Sequence, residues 1–211
     1  MSCFGCIRHS RTVWNEEERV QGWRDSPLTD KGQALARRWG EQLAVFPWQR
    51  ILASDLGRAR QTAQLINASL HLPLHTEPRL REQDWGEWSG LLYSELLTER
   101  KKEFARQERR GWDFRPPGGE SRREVLRRSL AALGEASCQW PDAHILVVSH
   151  EGVIRCLACH LAGHTFLPGA PSLLREWHLH CFSARDGELF LQELNCLRLQ
   201  RPDQASPFSL F

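Results

Sequence analysis

Apolar positions along this chain follow two alternating periods, and the places where one gives way to the other outline its elements. Residues 3–8, CFGCIR, read as a short first strand that Gly5 interrupts. Residues 27–47, PLTDKGQALARRWGEQLAVFP, space Ala34, Leu35, Trp39, Leu43 and Phe46 at three- and four-residue steps. This predicts a helix entered at Thr29 or Asp30 and stopped by Pro47. RILASDL (50–56) is a second strand, and GRARQTAQLINASL (57–70) a helix with Ala59, Ala63, Leu65 and Ile66 available for burial. The segment from Leu80 to Pro117 mixes Trp, Arg and Glu and predicts an irregular cap around one helix. SRREVLRRSLAALGEA (121–136) is an amphipathic helix entered from the Gly118–Gly119 turn. HILVVSH (144–150) is a continuous apolar run of the kind buried on both faces of a parallel sheet. GVIRCLACHLAG (152–163) follows as a helix ending at Gly163. LREWHLHCF and ELFLQEL flank Asp186–Gly187, a hairpin signal, and no clear pattern continues after Asn195.

Strands alternating with helices predict the α/β class: a three-layer sandwich with a mostly parallel central sheet, helices on both faces and a cap insertion. We expect residues 1–211 to form one domain, with the cap at about 80–117. Composition agrees with a globular chain, at 41% hydrophobic and 26% charged residues. A formal net charge of +2 gives nucleic-acid binding no support, and no apolar run approaches the about 18 residues of a membrane span. Arg8 and His9 stand where a secretory signal would be apolar, so a cytoplasmic location and seven reduced cysteines are expected. The oligomeric state and the role of the tail leave no readable pattern.

The chemistry begins at CIRHSRT, residues 6–12, where an apolar segment ends on Arg8 and His9 and another Arg follows. Such groups gain little from burial unless something anionic sits beside them. Ligands of open α/β sheets bind beyond the carboxyl ends of strands. Arg8–His9 and Ser149–His150 each occupy such an end, so both histidines should open into one crevice.

Six blocks then fall into register: IRHSRTVWN, QGWRDSPLTDKG, ASDLGRARQTA, LREQDWGEW, PPGGES and VVSHEGVIR. In that order the chain resembles the histidine phosphatase superfamily, in its phosphoglycerate-mutase-like branch, from about Ile7 to about Arg155. The resemblance implies phosphoryl transfer through a phosphohistidine on His9. It makes Arg8, Arg58 and His150 the phosphate clamp, and Glu82 the general acid for the leaving alkoxide and later the base for water. It also implies that Asn15 and Gly22 touch the phosphate or leaving group and that Gln21 and Thr29 line the entrance. Asp84 and Glu87 are neighbouring carboxylates that could serve in place of Glu82. Phosphoryl transfer asks for an in-line nucleophile and positive charge around the equatorial oxygens. The Arg/His clamp supplies that charge, so no metal and no cofactor are expected.

Three positions depart from the family pattern. Ser10 stands where Gly is usual, and would narrow the phosphate seat or add a hydroxyl donor to substrate. Arg11 could reach a second anionic group. Glu151 replaces the typical Gly after His150 and is expected to point away from phosphate, at the N-terminus of the next helix.

Nine tryptophans accompany a single tyrosine. Trp39 and Trp177 read as core. Trp14, Trp23, Trp85, Trp88 and Trp112 fall in segments expected to rim the crevice, as a packed cap or as an apolar wall for an aromatic or sugar moiety. A wall of that kind would suit α-ribazole phosphate. CLACH, residues 156–160, fits the C-x-x-C-H pattern of haem attachment, and Cys3 and Cys6 could join those cysteines around zinc. Small apolar core residues are the simpler account of them.

The expected activity is a metal-independent phosphomonoesterase acting on a small phosphorylated metabolite. PPGGES resembles the phosphatase branch. A cofactor-dependent phosphoglycerate mutase is the alternative, because Arg109–Arg110 resemble the paired arginines with which mutases grip a carboxylate. A non-catalytic phosphate or phosphopeptide binder is the third reading.

Overall fold

The computed structural model describes residues 1–170 and 172–200. Its strands are β1 (Ser2–Arg8), β2 (Arg50–Ala53), β3 (Leu74–Thr76), β4 (His144–Ser149), β5 (His178–Arg185) and β6 (Glu188–Arg198). They form a single mixed sheet in the order β3-β2-β4-β1-β5-β6. The β1–β4, β2–β4 and β2–β3 pairs are parallel, and β5 runs antiparallel to both β1 and β6. The Asp186–Gly187 turn joining β5 and β6 has positive φ at both residues, which that dipeptide tolerates.

The helices are α1 (Val13–Glu16), α2 (Asp30–Leu43), α3 (Gly57–Leu70), α4 (Tyr93–Thr98), α5 (Lys101–Glu108), α6 (Arg122–Gln139) and α7 (Glu151–Leu161). Helices α2 and α3 send Leu35, Trp39, Ala59, Ala63 and Ile66 against Ile7, Leu146 and Val148 on one face of the sheet. On the other face, α6 and α7 send Val125, Leu133 and Leu157 against Phe4, Ile145 and Val147. Successive β4 residues therefore serve opposite cores, which is why that strand is apolar throughout.

Several local expectations change. Ala34 is exposed and Ala36 takes the buried place on α2, which ends at Leu43, short of Pro47. Gly5 does not weaken β1; a Cβ there would overlap the Trp48 ring, so glycine is the residue that lets that indole lie across the sheet. The three-residue β3 carries no pattern that marks it in the sequence. The segment 80–117 carries two short helices rather than one. With Val20 it encloses its own small core of Trp88, Leu96, Phe104 and Phe114. Trp177 is half-buried, with its ring centroid 5.5 Å from that of Trp39. The part of the tail beyond residue 200 lies outside the described residues.

Candidate active site

Strands β1 and β4 end side by side, and the backbone N–H of His9 donates to the Ser149 carbonyl at 2.9 Å. This brings the His9 and His150 rings to a centroid separation of 5.2 Å. His9 Nδ1 lies 2.7 Å from the Ser10 carbonyl oxygen, which accepts and cannot donate, so Nδ1 carries the proton and Nε2 keeps a lone pair. Burial first, and then the charges of Arg58 and Arg8, hold His9 well below the usual imidazole range. The ring is therefore neutral, with its one lone pair on Nε2.

Arg58 enters from the first turn of α3 and is 1% exposed. Its Nε points at His9 Nε2 over 3.3 Å. Its Nη2 donates to the Gly22 carbonyl at 2.7 Å, and its Nη1 to the Arg24 carbonyl at 3.0 Å and to Asp25 at 3.2 Å. Burial lowers its pKa, while Glu82 and Asp25 oppose the shift. Gly22 presents that carbonyl at φ +54°, and a Cβ there would come within 2.7 Å of Ser89 Oγ. Glycine is required on both counts.

His150 caps α7 without a side-chain cap bond. Its Nε2 meets Ser54 Oγ at 2.8 Å, while its Nδ1 is buried without a partner. A buried polar atom left unpaired is costly and points to a group that completes it. Burial and the charges of Arg58, His9 and Arg8 also hold His150 well below its usual range.

Glu82 faces these cations from beside the N-terminus of α7. Its Oε1 accepts from the Gln83 N–H at 2.8 Å and its Oε2 from the Gly152 N–H at 3.3 Å. Burial raises its carboxyl above the usual range, against the pull of those donors and of Arg58. Asp84 lies outside this cavity, turned to the Gly86 N–H at 2.9 Å, and Glu87 is exposed.

Together these groups line a cavity of about 270 Å³ that includes Arg8, His9, Asn15, Gln21, Gly22, Arg58 and Glu82. Asn15 spends its carbonyl on Thr12 N and Oγ1, at 3.1 and 3.0 Å, which leaves its amide NH₂ free among the described residues. Gln21 is buried with Oε1 unpartnered. His150, fully buried against His9, is not among the residues that line this cavity in the absence of a ligand.

Thr29 and Ser10 do not reach the cavity. The Thr29 hydroxyl caps α2 by accepting from the Gly32 N–H at 3.0 Å, and the Ser10 hydroxyl donates to the Gly32 carbonyl at 2.7 Å. Both hold the α2 entry against the β1 loop, because Gly32 packs so closely on the Arg11 carbonyl that a Cβ would overlap it. Arg11 lies outside the cavity too. Glu151, expected to turn away, lines it and pairs with Arg8 at 2.6 Å.

Of the five tryptophans assigned to the rim, Trp85 alone lines this cavity. Trp88 is fully buried in the cap, Trp23 is 42% exposed and donates to the Glu82 carbonyl, and Trp112 packs on Phe166. Arg109 and Arg110 are exposed at the end of α5, away from the cavity. Arg19, Tyr93, Arg122, Arg155 and Phe166 line it and were not singled out. Arg155 had a legible clue, four residues after Glu151 in VVSHEGVIR.

Among the described residues no group of three or more His, Cys, Asp or Glu could hold a metal ion. Cys6, Cys156 and Cys159 are buried in the core, and burial raises all three thiols. No helix among those residues is long and apolar enough to cross a membrane.

Residues 5–196 match the sequence model of the histidine phosphatase superfamily (branch 1). The chain is 36% identical over 166 residues to a 2,3-bisphosphoglycerate-dependent phosphoglycerate mutase of Gloeobacter violaceus, covering 76% of each chain. It is 32% identical over 163 residues to the uncharacterized phosphatase PhoE of Bacillus subtilis, covering 77% of this chain and 79% of that one. A mycobacterial glucosyl-3-phosphoglycerate phosphatase, solved in complex with VO3, superposes with a TM-score of 0.81 at 25% identity, covering 94% of this chain and 99% of that one.

Proposed function

Because the chain belongs to the histidine phosphatase superfamily, we propose that it hydrolyses a small phosphomonoester through a phosphohistidine on His9, without a metal. The observation that supports this most is the fixed tautomer of His9, whose only lone pair faces the Arg58 guanidinium across 3.3 Å.

The chemistry runs in two displacements. His9 Nε2 attacks phosphorus, the phosphorus–oxygen bond to the alcohol breaks, and Glu82 passes its proton to the departing alkoxide. The ring then carries phosphate on Nε2 and hydrogen on Nδ1, and the Ser10 carbonyl stabilises its new positive charge. Arg8, Arg58, His150 Nδ1 and the Asn15 amide are donors for the non-bridging oxygens. His150 needs Nδ1 protonated for this, with Nε2 accepting from Ser54. Water then attacks phosphorus and gives its proton to the Glu82 carboxylate. Phosphate leaves, and His9 and the acid form of Glu82 are both regenerated.

A mutase has the same first half-reaction, and the Gloeobacter relative favours that second reading. Against it, Arg109 and Arg110, the pair that would grip a carboxylate, are exposed and do not line the cavity. Phosphate release from p-nitrophenyl phosphate, measured beside isomerisation of 3-phosphoglycerate with and without bisphosphoglycerate, separates the two. Release without isomerisation is expected. Isomerisation dominating over release would reverse the assignment, and neither activity would leave a phosphate binder.

A further inference from the structure

Five arginines line the cavity: Arg8, Arg19, Arg58, Arg122 and Arg155. Four have carboxylate partners within 4 Å, namely Glu151, Glu17, Asp25 and Glu108 in that order. Arg155 has none among the described residues. Its neighbours are the Phe166 ring, 5.1 Å from the guanidinium carbon, and the thiol of Cys159.

Its isolation is unusual for its place on the helix. A glutamate four residues N-terminal to an arginine is the favourable order for a surface pair, and Glu151 occupies that position. Yet Glu151 turns to Arg8, at 2.6 Å, and leaves Arg155 uncompensated in the second turn of α7. Arg155 lies five positions after His150, about 7.5 Å along the helix axis. The free cation thus stands further along α7 than His150 and lines the same cavity as His9. Tyr93, 44% exposed, also lines the cavity and lies within reach of the Arg155 charge.

We infer that Arg155, backed by Phe166 and with Tyr93 beside it, is a subsite for a second anionic group on the substrate. Resting on the hydrolase reading above, this makes the substrate a phosphomonoester of an alcohol that also bears a carboxylate or a further phosphate. A cation in a half-enclosed cavity binds such a group well, because partial desolvation strengthens the pair and planar guanidinium matches either oxyanion.

The test is substrate discrimination in wild type and Arg155→Gln, with thermal melting to establish that the variant folds. 3-Phosphoglycerate is compared with glycerol 3-phosphate, which lacks the carboxylate, and glucose 1,6-bisphosphate with glucose 6-phosphate. Wild type is expected to favour the doubly anionic member of at least one pair by roughly tenfold or more in kcat/KM, a size set by one charge-assisted hydrogen bond. Which pair shows it identifies carboxylate or phosphate. Arg155→Gln should bring that ratio close to one, mainly through KM. A wild-type ratio near one for both pairs, or a ratio that survives Arg155→Gln, overturns the inference. Should wild type hydrolyse none of the four, the hydrolase reading falls separately. Calorimetric titration with 3-phosphoglycerate and glucose 1,6-bisphosphate then decides the subsite: weakening of either by about tenfold in the variant supports it, and equal affinities or no binding reject it.

Discussion

Arg58 Nε stands 3.3 Å from His9 Nε2, between a guanidinium anchored on two backbone carbonyls and a ring whose other nitrogen is tied to the Ser10 carbonyl. Neither side chain can turn without breaking buried hydrogen bonds. His9 and Arg58 are therefore preorganised before any ligand arrives. A phosphoryl oxygen entering the cavity would take over the Arg58 donor and leave the histidine lone pair facing phosphorus.

Arg58→Ala is expected to reduce kcat/KM by about a hundredfold or more, roughly 3 kcal/mol of transition-state stabilisation. Arg58→Lys should recover little, since one ammonium cannot serve Gly22, Arg24 and phosphate in the geometry of the fork. Steady-state kinetics on p-nitrophenyl phosphate measure both.

The pH profile follows from two opposed shifts. In the proposed mechanism His9 acts as the free base, and because it is held well below 6.5 the acid limb of kcat/KM is expected below pH 6.5. Glu82, the acid of that mechanism, is raised from 4.5, so it holds its proton to higher pH than an exposed glutamate, and activity on alkyl phosphates is expected to fall as pH rises through its pKa. Glu82→Gln should slow alkyl phosphates far more than p-nitrophenyl phosphate, whose phenolate leaves unaided. Equal slowing of both would remove Glu82 from the acid role.

Gly152→Ala should behave like a partial loss of Glu82. A Cβ at that position would overlap the Glu82 carboxyl oxygen, and the backbone N–H that holds the carboxylate would lose its partner. The expected signature is the same leaving-group dependence, with only a small change in melting temperature because alanine suits a helix. A uniform loss on all substrates contradicts it.

Glu151→Gln releases Arg8. With side chains 27% and 54% exposed, this pair is weak and solvent-screened. The freed guanidinium should therefore tighten competitive inhibition by inorganic phosphate only a few-fold. Unchanged or weaker inhibition would show that Glu151 does not compete with the ligand for Arg8.

The sequence was most informative where one residue answers to one requirement. HILVVS had to be apolar on both faces because two cores meet at β4, and the Arg8–His9 and Ser149–His150 strand ends met as topology demands. It was least informative where a backbone contact decides the role. Ser10 reads as a substrate donor and Thr29 as an entrance residue until the Ser10 hydroxyl is seen to donate to Gly32 and the Thr29 hydroxyl to accept from it. The tryptophans misled for a related reason. An aromatic-rich insertion can face a ligand or enclose a core of its own, and Trp88 with Phe104 and Phe114 does the second. A three-residue strand such as β3 carries too few positions to show any period.

The most direct test is a rapid alkaline quench during turnover of a phosphomonoester, followed by intact-mass and peptide analysis. One phosphoryl group per chain, on the peptide holding His9 and absent from His9→Ala, is the predicted result. Full turnover by His9→Ala, or a phosphoryl group carried by another residue, would contradict the account.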